Sequence, residues 1–282
     1  MTRRLFCFGL GFTARTFARD YPEWQITGTG RSPTADGPQD TLSTVPFRRD
    51  CPVENFTERA KDVTHILLSV PPDDAGDPVF DVMAEQIRAL PSLQWIGYLS
   101  TTGVYGNLDG GWVDESSSYN PTGPRGQRRV DAEKSWLRQY DEFGLPVHIF
   151  RLPGIYGPGR NQLVSLKKGK ARRISKPGQV FSRIHVSDLV AILSASMNKP
   201  CPGSIYNIAD DAPTPPEEVV AYAAELLGVA PPPLQDFETA DLSPMARSFY
   251  ADSKRVSNAK IKSELGIQLK YPTYREGLTA LL

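Results

Sequence analysis

The chain has 282 residues, of which 40% are apolar, and it carries 32 basic and 32 acidic side chains. This composition can build one large core or a main domain with a smaller lobe, and it excludes a chain that is disordered throughout. The balanced charge excludes a global field that would attract nucleic acid or a membrane surface.

Cysteine usage and the apolar runs indicate the compartment. The three cysteines are widely spaced and form no CxxC pair, which argues against a disulfide framework and against a zinc site. No apolar run is long enough for a signal-peptide core or a transmembrane helix. We therefore expect a soluble protein in a reducing cytoplasm, with no membrane partner.

The first elements predict a dinucleotide site. The stretch "RLFCFGLGFTARTFARDY" begins as a buried strand and turns through glycines into a helical pattern. In Gly9-x-Gly11-x-x-Ala14, the first glycine allows the turn, the second lets a pyrophosphate approach the backbone, and the alanine permits close helix packing. The alternative is that a strand-to-helix turn needs glycine for its own geometry. The expected cofactor contacts are Gly9, Gly11, Phe12 and Thr13.

The next strand, "WQITGTGR", predicts which dinucleotide is bound. A chain that binds NAD carries an acidic residue near the end of this strand, where it binds the adenine ribose. Here Thr29, Gly30, Arg31 and Ser32 occupy the strand end. A guanidinium beside a hydroxyl suits a 2′-phosphate, so we predict NADP as the cofactor, bound by Arg31 and Ser32, with NAD as the alternative. The competing interpretation is a solvated arginine in a loop.

The middle of the chain continues the alternation of strands and helices. "VTHILLSVPP" and "LQWIGYLSTTGVYG" are typical of buried strands, and the helical stretch "PVFDVMAEQIRAL" separates them. This order predicts an α/β fold with a doubly wound parallel sheet. Ligands bind at the carboxyl ends of such strands, which adds Ser69 and Val70 as expected cofactor contacts.

Four motifs carry a family resemblance: "GLGFTA", "STTGVYG" (100–106), "FRLPGIYGPGRN" (150–161) and "SRIHVSDLV" (182–190). In this order they resemble the extended and atypical branches of the short-chain dehydrogenase/reductase superfamily, the NAD-dependent epimerase/dehydratase family. The resemblance implies a Rossmann-type unit over residues 1–282, with a small, mostly C-terminal substrate lobe interleaved at about 156–182 and 205–282.

The resemblance also implies roles for individual residues. Thr101 matches the hydroxyl residue that hydrogen-bonds the substrate oxygen, and Asp81 lies where many members carry an active-site asparagine. His185, flanked by Ile184 and Val186, has a structural histidine as its alternative. The remaining implied contacts are Pro153 and Gly154 for the nicotinamide, and Tyr156, Arg183 and His185 for the substrate.

The catalytic dyad of the family is missing. Active members carry Tyr-x-x-x-Lys on one helical face, and alignment on Ala132-Glu133 places these positions at Arg125 and Arg129. Arginine is not deprotonated in proteins, so Arg125 cannot act as the general acid, although Arg129 can still hydrogen-bond the nicotinamide ribose. The alternative is a solvated helix face with charges spaced i, i+4. Tyr119, in the loop before this helix, is the candidate replacement acid.

Two functions from different classes follow. The first is an NADP-dependent epimerase/dehydratase or oxidoreductase that acts on a sugar nucleotide or another carbonyl substrate. The second is a catalytically impaired dinucleotide-binding sensor or regulator. The expected partners are a dinucleotide and a small-molecule substrate, without nucleic acid, and a homodimer is left open. The three histidines lack metal-ligand spacing, so no metal is expected.

Overall fold

The computed structural model describes residues 3–31 and 42–282, with strands and helices numbered in chain order. The strands are β1 (Arg4–Phe8), β2 (Gln25–Gly30), β3 (Leu42–Pro46), β4 (His65–Leu68), β5 (Trp95–Thr101), β6 (Trp112–Val113), β7 (Val147–Leu152), β8 (Gly154–Tyr156), β9 (Arg173–Ser175), β10 (Arg183–His185), β11 (Ile205–Asn207), β12 (Leu234–Asp236) and β13 (Arg255–Val256). The helices are α1 (Phe12–Asp20), α2 (Phe56–Arg59), α3 (Pro78–Arg88), α4 (Pro124–Phe143), α5 (Gln162–Lys167), α6 (Val186–Asn198), α7 (Pro216–Leu227), α8 (Pro244–Phe249), α9 (Ala259–Leu265) and α10 (Tyr274–Thr279), and residues Thr102–Tyr105 form a short 3-10 helix.

Seven strands form a central parallel sheet in the order β11-β7-β5-β4-β1-β2-β3. The strand order reverses between β1 and β4, which both pair in parallel with their neighbours. The predicted doubly wound parallel sheet is confirmed. In such a sheet the crevice outside the carboxyl ends of the strands, at the reversal point, is where ligands bind. The turn after β1 and the loop after β4 therefore lie at the edge of the sheet where a ligand is expected to bind.

The chain divides into two compact units. Unit 1 comprises residues 1–101, 127–151 and 190–206, and it contains most of the central sheet. Unit 2 comprises residues 102–126, 152–189 and 207–282, and it contains the two-stranded parallel pairs β6 with β13, β8 with β10, and β9 with β12. The substrate lobe expected from the sequence lies in unit 2, apart from residues 205 and 206; the expectation of a single domain stays a prediction.

The core of unit 1 explains why these strands form where they do. Every residue of β4 is buried, and the apolar side chains of β1, β4, β5 and β7 pack into one cluster with α3 and α4. Helix α3 begins where Asp77 caps it, because the Asp77 carboxylate accepts the backbone N–H groups of Val79 and Phe80 at 2.9 and 3.1 Å. Pro78, at the first helical position, has no N–H to leave unpaired.

Two histidines are buried in the sheet of unit 1. Burial lowers the pKa of both His65 and His148 to about 4, which keeps each imidazole neutral in the folded state at neutral pH. The Nε2 of His148 accepts the backbone N–H of Cys201 at 2.9 Å. The Nδ1 of His148 therefore carries the proton, and it faces the carbonyl oxygen of Ile96 at 3.3 Å.

These histidines predict a loss of stability in mild acid. The unfolded chain binds protons at its histidines below about pH 6.5, whereas the folded state resists protonation down to about pH 4. The free energy of unfolding should therefore fall between these values, by up to about 3 kcal/mol per histidine. Urea denaturation from pH 7 to pH 4 should show a shallower fall for His148→Gln than for the wild type. If the free energy of unfolding falls equally with pH in both proteins, the lowered pKa of His148 is contradicted.

Candidate functional site

The glycine-rich turn of unit 1 joins β1 to α1. Gly9 has a φ of +93°, a backbone conformation that side chains other than glycine rarely adopt. The N–H of Gly9 donates to Thr29 Oγ1 at 2.8 Å, and the N–H of Leu10 donates to the Thr29 carbonyl oxygen at 2.8 Å. On the other side, Ser69 Oγ donates to the Gly9 carbonyl oxygen at 2.7 Å. The ends of β2 and β4 therefore fix this turn.

This turn fits the diphosphate of a dinucleotide. A Cβ on Gly11 would have no atom of the described chain within 4 Å, so the backbone here is open to an approaching group. Gly11 precedes α1, and within the described residues no side chain caps this helix and no acidic residue lies in its first turn. The positive end of the helix dipole, which includes the predicted contacts Phe12 and Thr13, is therefore suited to bind an anion.

The other predicted cofactor contacts lie at the ends of β2 and β4. Arg31 is exposed directly after β2, and Ser32 lies outside the described residues. Ser69 and Val70 are half-buried after β4. A Cβ on Gly9 would lie 2.7 Å from Ser69 Oγ and 3.3 Å from the Val70 nitrogen, so this glycine admits no side chain.

The end of β5 carries Thr101, which is half-buried as the last residue of the strand. Arg129 of α4 reaches the same strand: its Nη1 donates to the Leu99 carbonyl oxygen at 2.7 Å and to the Tyr98 hydroxyl at 3.1 Å. Burial raises the pKa of Tyr98, so this phenol stays protonated. Arg129 therefore ties α4 to β5 two residues before Thr101.

A second side-chain contact between α4 and β5 lies one helical turn further along the helix. Ser100 Oγ donates to the Glu133 carboxylate, and Arg151 of β7 donates to the same carboxylate through Nη2 at 2.8 Å. The side chains of Glu133 and Arg151 are 0% and 2% exposed. The residue before Thr101 is therefore bonded to a fully buried ion pair.

Asp81 of α3 belongs to an exposed cluster of charges. Its carboxylate pairs with the Arg49 guanidinium, which also donates to Asp73 at 2.7 Å and to the Gly76 carbonyl oxygen at 3.2 Å. These contacts link the loop after β4 to the turn after β3. The active-site role of Asp81 stays a prediction.

Two of the predicted catalytic residues, Tyr119 and Arg125, belong to unit 2 and lie just before α4 and in its first turn. Tyr119 is half-buried in the preceding loop, where the N–H of Asn120 donates to the Val104 carbonyl oxygen at 3.0 Å. Arg125 is exposed in the first turn of α4. A Cβ on Gly126 would lie 2.9 Å from the Gly103 carbonyl oxygen, so the helix packs closely on residue 103.

The predicted nicotinamide and substrate residues of unit 2 follow β7 and occupy β10. Pro153 is half-buried and Gly154 is exposed. The Tyr156 ring packs edge-on against His185, with 5.2 Å between the ring centroids, and its hydroxyl lies close to Gly277.

The side chains from β10 also make internal contacts. Arg183 donates to the carbonyl oxygens of Ala212 and Thr214 at 3.1 and 3.2 Å, and His185 is buried. The Nδ1 of His185 accepts the backbone N–H of Ser187 at 3.1 Å, and this contact and the burial favour the structural alternative for His185. The substrate roles of Tyr156, Arg183 and His185 stay predictions.

Two features are absent from the part of the chain that the structure describes. Across residues 3–31 and 42–282, no helix is both long enough and apolar enough to cross a membrane. The same ranges contain no group of three or more histidine, cysteine, aspartate or glutamate side chains that could hold a metal ion.

Relatives were found by sequence and by structure, although no family model matches the chain. Protein YeeZ of Escherichia coli K12 is 30% identical over 177 residues, which are 62% of this chain and 58% of YeeZ, so the chain matches less than two thirds of that relative's length. The uncharacterized UDP-glucose epimerase YtcB of Bacillus subtilis is 32% identical over 117 residues, which cover 39% of this chain and 37% of YtcB.

Solved structures match nearly the whole chain. A functionally unknown conserved protein from Silicibacter pomeroyi has a TM-score of 0.88 and 48% identity, over 99% of this chain and 98% of that chain. The dTDP-glucose 4,6-dehydratase of Bacillus anthracis, in complex with NAD, has a TM-score of 0.80 and 21% identity, over 100% and 95%. The relatives and structural neighbours include epimerases and dehydratases, and the chain shares the fold of these solved structures.

Helix α4 carries the two positions at which the resemblance to the epimerase/dehydratase family predicts the catalytic dyad. Of the two residues predicted there, Arg125 is exposed and Arg129 is bonded to β5. Their place at the dyad positions stays a prediction. The alternative of a solvated face with charges at 125, 129 and 133 is wrong for the last two positions, because Arg129 and Glu133 bond to strand residues. Arg129 keeps a positive charge at the lysine position.

Several residues that build the candidate site were missed in the sequence. Thr29 was expected only as part of a strand end, yet its hydroxyl accepts the Gly9 N–H. Ser100, Glu133 and Arg151 form the buried network, although Arg151, in the segment "FRL", lies 18 residues after Glu133 in the chain. Contacts across 18 to 33 residues leave no local periodicity to detect.

Proposed function

We propose that this chain binds NADP, or NAD as the alternative, at the glycine-rich turn and acts as an epimerase/dehydratase or oxidoreductase. The observation that carries the proposal is the open, uncapped start of α1 at Gly11, where an approaching diphosphate meets the helix dipole. The substrate class is a sugar nucleotide or another carbonyl compound. The names of two relatives, which refer to UDP-glucose and dTDP-glucose, support the sugar nucleotide.

The end of β2 supports the preference for NADP. Arg31 follows the strand directly and is exposed, and residues 28–31 contain no carboxylate that would repel a phosphate. A guanidinium binds a phosphate through two parallel N–H groups, whereas the 2′-hydroxyl of NAD offers no charge. Arg31 therefore favours the phosphorylated dinucleotide.

Different residues of the chain carry different steps of the proposed reaction. Bound NADP supplies the hydride acceptor or donor of the family's reaction. The Thr101 hydroxyl hydrogen-bonds the substrate oxygen, and Arg129, held by the Leu99 carbonyl oxygen, provides a fixed positive charge for the ribose hydroxyls. Neither Arg125 nor Arg129 releases a proton near neutral pH. The proton at the substrate oxygen therefore comes from another group, for which we propose Tyr119.

Replacing Tyr119 by phenylalanine should abolish NADPH-linked turnover and leave the Kd of NADPH within about twofold of the wild-type value, because the phenol acts on the proton and not on the cofactor. Initial rates and fluorescence titration measure the two effects. Tyr140→Phe, on the exposed face of α4, is the matched control and should retain full turnover. Unchanged rates in Tyr119→Phe would reject this role.

A sensor or regulator is the second candidate, and the two arginines at the dyad positions favour it. Calorimetric titration with NADPH and NADH, followed by incubation with UDP- and dTDP-sugars and mass spectrometry, separates the candidates. Tighter binding of NADPH with epimerised, dehydrated or reduced product supports the enzyme. Cofactor binding without product across the set supports the regulator. Equal affinities would contradict the preference for NADP, and no binding of either would overturn both candidates.

A further inference from the structure

The turn after β3 brings two further arginines to the sheet edge where β2 ends. In the parallel pair of β2 and β3, Gly30 faces Pro46, and the Phe47 N–H still donates to the Gly30 carbonyl oxygen at 3.0 Å. Paired strands lie about 4.8 Å apart. Arg31 directly follows Gly30, and Arg48 directly follows Phe47. Arg31 and Arg48 therefore leave the carboxyl edge of two adjacent strands.

The two arginines of this turn have different partners. Arg49 donates to both oxygens of Asp73, at 2.7 and 3.2 Å, and pairs with Asp81. Arg48 pairs with Asp50, with 3.0 Å between Nε and Oδ1, and their side chains are 55% and 78% exposed. An exposed pair of this kind contributes little to stability, because solvent screens the two charges. The loop after β4 therefore holds Arg49 through several contacts. The Arg48–Asp50 pair can be broken with little loss of stability, which lets Arg48 bind another group.

The backbone fixes the base of the Arg48 side chain. The N–H of Arg48 donates to the Cys51 carbonyl oxygen and the N–H of Cys51 donates to the Arg48 carbonyl oxygen, both at 3.0 Å. This closed turn holds Arg48 at the sheet edge while its guanidinium stays in solvent. A phosphate dianion there gains charge-assisted hydrogen bonds without the cost of ordering a loop.

We propose that Arg48 binds the 2′-phosphate of NADP together with Arg31 and is a second determinant of the preference for NADP over NAD. The proposal rests on the proposed function, because it requires a dinucleotide in the glycine-rich turn. One guanidinium can engage two phosphate oxygens, and the third oxygen remains for a second guanidinium. Arg48 interacts with the 2′-phosphate alone, so its removal should change discrimination and leave the rest of the binding energy intact.

The test compares adenosine 2′,5′-bisphosphate with 5′-AMP, which differ in the 2′-phosphate. In calorimetric titrations, Arg48→Ala should raise the Kd of the bisphosphate roughly tenfold or more and leave the Kd of 5′-AMP within about twofold. Arg19→Ala is the matched control: Arg19 is also an exposed arginine paired with a nearby aspartate, at 2.7 Å. It lies near the far end of α1, about 10 Å or more from the glycine-rich turn. It should change neither Kd.

Each other outcome has a clear meaning. An unchanged Kd of the bisphosphate in Arg48→Ala, or an equal loss for both nucleotides, would overturn the role of Arg48 while the dinucleotide site stands. If the wild type binds neither nucleotide, the cofactor site itself fails and the role of Arg48 fails with it. Thermal unfolding of each variant checks the fold, and Arg48→Lys, which keeps the charge without the planar fork, should give an intermediate Kd.

Discussion

Glu133→Gln is expected to lower the free energy of unfolding by roughly 3–5 kcal/mol. The Glu133 carboxylate is fully buried, where it accepts hydrogen bonds from Ser100 and Arg151. Glutamine keeps the shape but removes the charge, so the buried Arg151 guanidinium loses the Glu133 carboxylate as its counter-ion, and this loss is costly at a buried site. Urea denaturation monitored by tryptophan fluorescence measures the loss.

An exposed ion pair provides the control. Glu58 and Lys61 are 3.1 Å apart and largely exposed, so Glu58→Gln should cost less than about 1 kcal/mol. The double variant Glu133→Leu/Arg151→Met should be more stable than Glu133→Leu alone, because it removes both charges together. If Glu133→Gln lowers the free energy of unfolding as little as Glu58→Gln does, the buried charge does not stabilise the fold as predicted.

Gly11→Val is expected to raise the Kd of NADPH by roughly a hundredfold or more, because the new side chain occupies the space through which the diphosphate reaches the start of α1. The folded chain itself accommodates the change. A Cβ at this position has no described atom within 4 Å, so the free energy of unfolding should change by about 1 kcal/mol at most, from the weaker helix cap. Fluorescence titration and urea denaturation measure the two quantities.

The chain offers a matched glycine for this experiment. Gly123 directly precedes α4 as Gly11 precedes α1, and a Cβ there also meets no described atom within 4 Å. Gly123→Val should therefore leave the Kd of NADPH within about twofold of the wild-type value. If both variants lose NADPH equally, or if Gly11→Val retains it, the glycine-rich turn is not where the diphosphate binds.

Local patterns predicted the strand, turn and helix at Gly9 and Gly11 because each depends on neighbours in the sequence: an apolar run, two glycines and helical spacing. What holds that turn could not be predicted. Its hydrogen bonds come from Thr29 and Ser69, which are 20 and 60 residues away from Gly9. Those partners meet only because β1 pairs with both β2 and β4.

In helix α4, too, the local pattern did not reveal the contacts with distant residues. Its charges at i, i+4 spacing predicted a solvated face as well as they predicted a modified active-site helix. Burial of Glu133 is explained by Arg151, a cation from a strand that the spacing within α4 cannot reveal. Sequence reasoning placed the correct residues on the helix but could not show which of them face the sheet.

The packing of Gly126 fixes the helix backbone next to Arg125, the position that the resemblance assigns to the family's tyrosine. The helix backbone at this position lies against Gly103 too closely for any side chain, and Arg129 and Glu133 hold the rest of the helix to the sheet. At the two positions that the resemblance assigns to the dyad, Arg129 therefore helps to hold the helix, whereas Arg125 is exposed. A substitution at position 125 would therefore leave these contacts between the helix and the sheet in place.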